Sequence, residues 1–111
     1  MNKSIKLLRA GFESSSGLTP EFDAFSKVFT KEITKELVDA GATDIKVHRG
    51  HFYLSGFYTV GTQCWYFNLP DVRGTGGKIM YRTCKDYQDY TGGTNRWTEL
   101  KTGVGFALCG K

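Results

Sequence analysis

Apolar residues recur every three and four positions from Phe22 to Ala40, then every second position from Ile45 onward. The period therefore changes near Gly41, from that of a helix to that of strands. Phe22, Phe25, Phe29, Ile33, Leu37 and Ala40 share one helical face, while Lys27, Lys31, Lys35, Glu32 and Glu36 occupy others. Thr19 is placed to cap free amides, Pro20 fits the first helical position, and Glu21 and Asp23 suit the positive end of the dipole. Gly41 supplies a C-terminal stop. The spacing predicts a helix from about Pro20 to Ala40, with its aromatic stripe turned to a core.

Beyond Gly41 the pattern predicts strands. Ile45 and Val47 alternate with Lys46 and His48, and Arg49-Gly50 reads as a turn. His51–Val60 reads as a second strand with a bulge expected at Gly56. Gly61-Thr62 turns the chain into a third strand, Gln63–Leu69, which Pro70 ends. Arg73–Lys78 reads as a glycine-rich loop and Ile79–Cys84 as a fourth strand. Lys85–Tyr90 fits one helical turn stopped by Gly92-Gly93. Trp97–Leu100 and Val104–Cys109 fit an edge strand or a packed tail. Ahead of the helix, residues 1–10 fit a short helix or an edge strand, and Glu13–Gly17 reads as a flexible connector. The expected architecture is a single α+β domain over residues 1–111. One long N-terminal amphipathic helix packs on an antiparallel sheet of about four to five strands.

A length of 111 residues with 40% hydrophobic and 14% aromatic side chains supports one core without staples. Lys3, Lys6 and Arg9 break up the apolar residues of the N-terminus, so neither a signal-peptide core nor a membrane span is expected. Three cysteines, Cys64, Cys84 and Cys109, have no paired spacing and are expected as free thiols in the reducing cytoplasm of a bacterial host cell. Residues 1–41 carry six basic and six acidic groups, whereas residues 42–111 carry nine basic and five acidic. The formal charge of +4 thus resides in the C-terminal part and favours acidic partners.

Motifs of catalysis are missing from the sequence. Arg73-Gly74-Thr75-Gly76-Gly77-Lys78 departs from a P-loop in spacing, and Lys78 leads into a strand rather than a helix. His48, His51, Cys64 and Cys84 are metal-ligand types without tight pairing, so no metal is expected. Nothing marks a thiol for activation beside a histidine. Asp86 and Asp89, beside Lys85, read as local capping groups rather than an acid–base pair. No cofactor is implied. The candidate functional constellation joins Arg49, Arg73, Lys78, Arg82, Lys85 and Arg96 with Tyr81, Tyr87, Tyr90 and Trp97. Such groups serve stacking and phosphate contact in nucleic-acid binders, and equally the hot spots of protein interfaces.

The chain also carries Gly11-Phe12-Glu13-Ser14-Ser15, Leu18-Thr19-Pro20-Glu21-Phe22, His51-Phe52-Tyr53-Leu54-Ser55-Gly56-Phe57 and Asp71-Val72-Arg73. Its most specific pattern is Arg82-Thr83-x-Lys85-x-x-x-Asp89-Tyr90-Thr91-Gly92-Gly93-x-Asn95, with Cys84 at the first open position. In these segments it resembles a group of small proteins encoded by bacterial phages and other mobile elements. The resemblance covers most of the chain and implies an accessory gene of the kind that disarms host defence. It supplies no catalytic residue. The resulting expectation is a non-enzymatic, anti-CRISPR-like inhibitor that occludes a CRISPR effector or another defence nuclease. The expected partner-binding residues are Arg73, Arg82, Lys85, Tyr87, Asp89, Tyr90, Asn95 and Arg96. The alternative is a nucleic-acid-binding accessory protein using a basic, aromatic sheet rim. Oligomeric state stays open, because Val104, Phe106 and Leu108 suit either a second copy or the core.

Overall fold

A computed structural model describes residues 1–10, 20–72 and 77–111 of the chain. Helix α1 spans Asn2–Ala10 and α2 spans Pro20–Asp39. Five strands follow: β1 Thr43–Arg49, β2 Leu54–Val60, β3 Gln63–Leu69, β4 Lys78–Cys84 and β5 Arg96–Glu99. A short helix, α3, closes the chain at Val104–Leu108. The strands form one antiparallel meander in the order β1-β2-β3-β4-β5. Among the described helices none is long and apolar enough to cross a membrane.

The stripe on α2 forms the main core. Phe22, Phe25, Phe29, Ile33, Leu37 and Ala40 are all buried. They pack with Leu54, Tyr58, Trp65, Phe67, Leu69 and Ile79 of the sheet and with Val104 and Leu108 of α3. The end of α2 is a Schellman motif: Ala42 N donates to Leu37 O at 2.9 Å and Gly41 N to Val38 O at 3.0 Å, with Gly41 at φ 99°. Lys111 Nζ adds a hydrogen bond to Ala40 O at 2.6 Å. The expected cap Thr19 and the connector Glu13–Gly17 lie outside the described residues.

The ambiguous N-terminal segment is helical, because its polar edge finds partners on α2. Ser4 donates to Glu32 Oε1 through its amide at 2.8 Å and its hydroxyl at 2.6 Å. The Met1 amino group donates to Glu36 Oε2 at 2.6 Å, and Glu36 Oε1 accepts from Gly105 N at 3.3 Å, joining α1, α2 and α3. Burial pushes the Glu32 carboxyl up in pKa, but the bonds from Ser4 and the nearby amino group outweigh it and leave the group below its ordinary value.

Three expectations about the sheet are corrected. The second strand begins at Leu54 rather than His51. Phe52 sits in the left-handed region at φ 61°, with its ring buried 4.9 Å from that of Phe22, so the chain bends where alternation alone predicts extension. The bulge falls in β1 between Thr43 and Lys46, where Asp44 takes φ 50°, and not at Gly56. Gly56 stays in regular register between Val47 and Phe67. A Cβ there would stand 2.6 Å from the Phe67 ring and 2.2 Å from Lys46 O, so glycine serves close packing instead. Lys85–Tyr90 makes no helical turn, for a reason that belongs to the site.

Candidate functional site: a knotted loop on the open face of the sheet

The strand register divides the side chains cleanly. Tyr58, Trp65, Phe67 and Tyr81 face the main core, whereas Phe57, Cys64, Tyr66, Met80, Arg82 and Cys84 face the opposite side. That opposite face has its own small apolar cluster of Phe57, Tyr66, Met80 and Cys84, with Cys64 against it. Apolar residues on both faces explain why β2 and β3 read as nearly continuous hydrophobic runs. Among the described residues no helix packs on this side. The loop between β4 and β5 does.

Asp89 organises that loop. Its Oδ2 accepts from Lys85 N at 2.9 Å, and its Oδ1 accepts from Thr91 N at 3.0 Å and Thr91 Oγ1 at 2.9 Å. Asp89 N donates to Asp86 O at 3.2 Å, with Gln88 at φ 77°. Gln88 leaves the helical region, and the Asp89 carboxylate gathers the Lys85 and Thr91 amides into a local turn instead, which is why spacing alone misleads here. Those amide donors, with the Thr91 hydroxyl, hold the Asp89 carboxyl below its ordinary pKa.

Arg82 clamps the loop to the sheet. Its Nη1 donates to Asn95 Oδ1 at 3.2 Å, its Nη2 donates to Tyr90 O, and its guanidinium lies 4.8 Å from the centroid of the Tyr66 ring. Tyr90 and Tyr87 meet Phe57 edge-on at 5.5 and 5.3 Å between centroids, and Tyr90 meets Tyr66 at 5.8 Å. Lys46 Nζ lies 4.7 Å over the Tyr87 ring. Gly92 and Gly93 complete the fit. Gly93 N donates to Thr83 O at 2.7 Å, and a Cβ on Gly92 would stand 2.2 Å from Thr83 O. The pattern Arg82–Asn95 is thus a self-contained fold of the loop onto β4.

Of the expected contact residues, the structure brings together Arg82, Lys85, Tyr87, Asp89, Tyr90 and Asn95. Arg96 lies apart. It pairs with Tyr81 in register and its guanidinium stacks 5.3 Å over Trp65, on the helix side of the sheet. Arg73 lies outside the described residues. Within the group, Arg82 and Asp89 are committed to internal bonds, while Tyr87 (42% exposed) and Tyr90 (56%) keep much of their surface in solvent. Trp97 pairs with Met80 on the same face and is 54% exposed.

Sequence reading missed the direct opposition of Cys64 and Cys84, whose Sγ atoms are 3.1 Å apart. Gln63 Nε2 bonds both carbonyls, Cys64 O at 2.8 Å and Cys84 O at 3.0 Å. Burial, followed by the adjoining Cys64 thiol, pushes the Cys84 thiol up to about 12. A polar cleft of about 680 Å³ opens beside Cys84 between Thr62, Gln63, Lys85, Asp89, Thr91 and Gly92. Among the described residues no group of His, Cys, Asp and Glu is arranged to hold a metal ion. Comparison with protein-family models, curated proteins and solved structures gave no match for the chain.

Proposed function

We propose that this protein is a non-enzymatic inhibitor from a phage or mobile element. It occludes a host defence protein, a CRISPR effector or another defence nuclease, by one-to-one binding through the open face of the sheet. The observation that carries the reading is the Arg82- and Asp89-fastened loop, which presents Tyr87 and Tyr90 as fixed, solvent-facing aromatics on the same face of the sheet as Trp97. Tyrosine and tryptophan held in place lose little conformational freedom on binding, and these types anchor protein interfaces. The resemblance of the Arg82–Asn95 pattern to mobile-element proteins supplies the class of partner.

The ring faces argue for protein over nucleic acid. Base stacking needs a free π-face, and Lys46 lies over Tyr87 while Arg82 lies over Tyr66. Arg82, the best-placed phosphate fork, already serves Tyr90 O and Asn95.

The experiment is capture of host proteins by the tagged chain after nuclease digestion and a salt step. Titration against the purified captured nuclease follows. Inhibition that saturates at one equivalent is the expected result. Inhibition at a small fraction of an equivalent overturns the occlusion mechanism. Recovery of nucleic acid alone, lost as salt rises, overturns the protein-partner reading in favour of a nucleic-acid binder.

A further inference from the structure

We propose that Cys64 and Cys84 form an oxidisable dithiol site that closes to an intramolecular disulfide on reaction with a low-molecular-weight disulfide. The site stands apart from the partner reading and rests on the placement of the two thiols.

Four observations converge on the pair. Cys64 and Cys84 oppose each other directly across β3 and β4, with Sγ atoms 3.1 Å apart. A disulfide bond is about 2.05 Å long, so closure takes a movement of about 1 Å. The backbone beneath them is braced, because the Gln63 side chain bonds both of their carbonyls. The two thiols also differ in access. Cys64 is half-buried and lines a cavity of about 320 Å³ with Asp44, Lys46, Asp86 and Tyr87, whereas Cys84 is buried in the small apolar cluster. Finally, Cys109 belongs to the main core, across the sheet from the pair. The chain thus carries its own unreactive control thiol.

The asymmetry sets the order of events. The Cys64 thiolate attacks one sulfur of the small disulfide, forming a mixed disulfide and releasing the first small thiolate. Cys84 then gives its proton to solvent and attacks Cys64 Sγ. The bond between the protein and the small thiol breaks, and a second small thiolate leaves. The protein loses two electrons and two protons, and the small disulfide becomes two thiols. Part of what holds the Cys84 thiol protonated is the hydrogen bond and charge of Cys64. Once Cys64 is capped as a neutral mixed disulfide the charge is gone and its sulfur is a poorer acceptor, so the first step eases the second.

The loop senses this bond through Gly92. A Cβ on Gly92 would stand 2.8 Å from Cys84 Cα and 3.0 Å from Cys84 Cβ, so the loop backbone rests directly on the residue that must move. Closure ties β3 to β4 at the point where β4 enters the knotted loop.

The test is treatment of the folded chain with oxidised glutathione at mildly alkaline pH, followed by intact mass, thiol titration and peptide mapping. The expected product is lighter by two hydrogens, retains one of three titratable thiols, and yields a Cys64–Cys84 linked peptide. Cys109→Ser is expected to form the same bridge. Cys84→Ala is expected to stop at a stable glutathione adduct on Cys64, with circular dichroism verifying its fold. Amide exchange across Lys85–Asn95 is expected to slow in the bridged form. A wild-type chain that keeps three thiols, or accumulates glutathione on Cys64 without bridging, overturns the proposal. Unchanged exchange in the bridged form overturns its link to the loop.

Discussion

Arg82 and Asn95 stand at the two ends of the β4–β5 loop and close it with one hydrogen bond, Nη1 to Oδ1 at 3.2 Å, across thirteen positions of sequence. The same guanidinium holds Tyr90 O and lies on Tyr66. Arg82→Ala therefore removes two loop anchors and a ring contact together. Expected is a loss of about 2 kcal/mol in urea unfolding, in the range for hydrogen bonds to a charged group plus the packing of the stem. Arg82→Lys is expected to recover only part of this, because an ammonium cannot span both acceptors as a planar fork does.

The double glycine has a steric basis that an alanine series separates from backbone strain. At Gly92 a Cβ would meet Thr83 O at 2.2 Å and Cys84 Cα at 2.8 Å, both of which are backbone that cannot step aside. Gly110 has positive φ and open space around it. Gly110→Ala is expected to cost about 1 kcal/mol from left-handed backbone alone. Gly92→Ala is expected to cost more, about 2–3 kcal/mol by analogy with overpacked sites, and to release the loop. Thermal melts of the two variants decide it. Equal losses would mean that the contact at Gly92 is not tight.

The parts of the fold that were legible are those written locally. The stripe from Phe22 to Ala40 and the Gly41 stop gave α2 to within a residue of its end, because helix periodicity and a C-terminal glycine act over a few positions. Phe52 was not legible. Its left-handed backbone is imposed by a ring seated against Phe22, and alternation through His51–Tyr53 says nothing of that. Lys85–Tyr90 reads as a helical turn from its composition and the Gly92-Gly93 stop, neither of which shows that Gln88 leaves the helical region; the local capping role expected of Asp89 is the one it has. The Arg82–Asn95 pattern was recognisable as special, but its internal role was not. Contact with a partner and contact with one's own strand use the same residue types. The Cys64–Cys84 opposition depends on the register of β3 against β4, which no spacing in the chain reveals.

The Asp89 carboxyl makes loop stability depend on acid. Three donors, led by the Lys85 amide, hold its pKa below the ordinary 3.8 in the folded chain. The unfolded chain thus takes up the proton first as pH falls. The contribution is fully present above that ordinary value and is lost as pH drops through the lower, folded one. Asp89→Asn keeps an acceptor but not the charge. Its deficit against wild type, read from unfolding midpoints, is expected near neutral pH and to shrink progressively below 3.8. A deficit that is independent of pH would assign the role of Asp89 to shape rather than charge.

Within the core, Phe29 carries the contact between α2 and the middle of the sheet, its ring 6.4 Å from Phe67 and 5.8 Å from Phe25, with no exposure. Phe29→Ala leaves a cavity that neighbours on a rigid sheet cannot fill. The expected cost is about 3–5 kcal/mol by denaturant unfolding. Val38, on the solvent side of the same helix at 56% exposure, supplies the contrast, and Val38→Ala is expected within about 0.5 kcal/mol of wild type.

The proposed interface requires that stability and binding separate at its aromatics. Trp97 stands on edge strand β5 with more than half its surface free, so Trp97→Ala is expected to leave unfolding nearly unchanged while costing about 2 kcal/mol or more of affinity for the captured partner. Tyr90 has a second duty, since its ring packs on Phe57 and Tyr66. Tyr90→Ala is therefore expected to lose about 1 kcal/mol of stability in addition to affinity. Tyr90→Phe keeps the ring and is expected to keep the stability, so any affinity it loses belongs to the hydroxyl at the interface. Calorimetric titration of the three variants beside their unfolding curves separates the two duties. Wild-type affinity in both Trp97→Ala and Tyr90→Ala would move the interface off this face of the sheet.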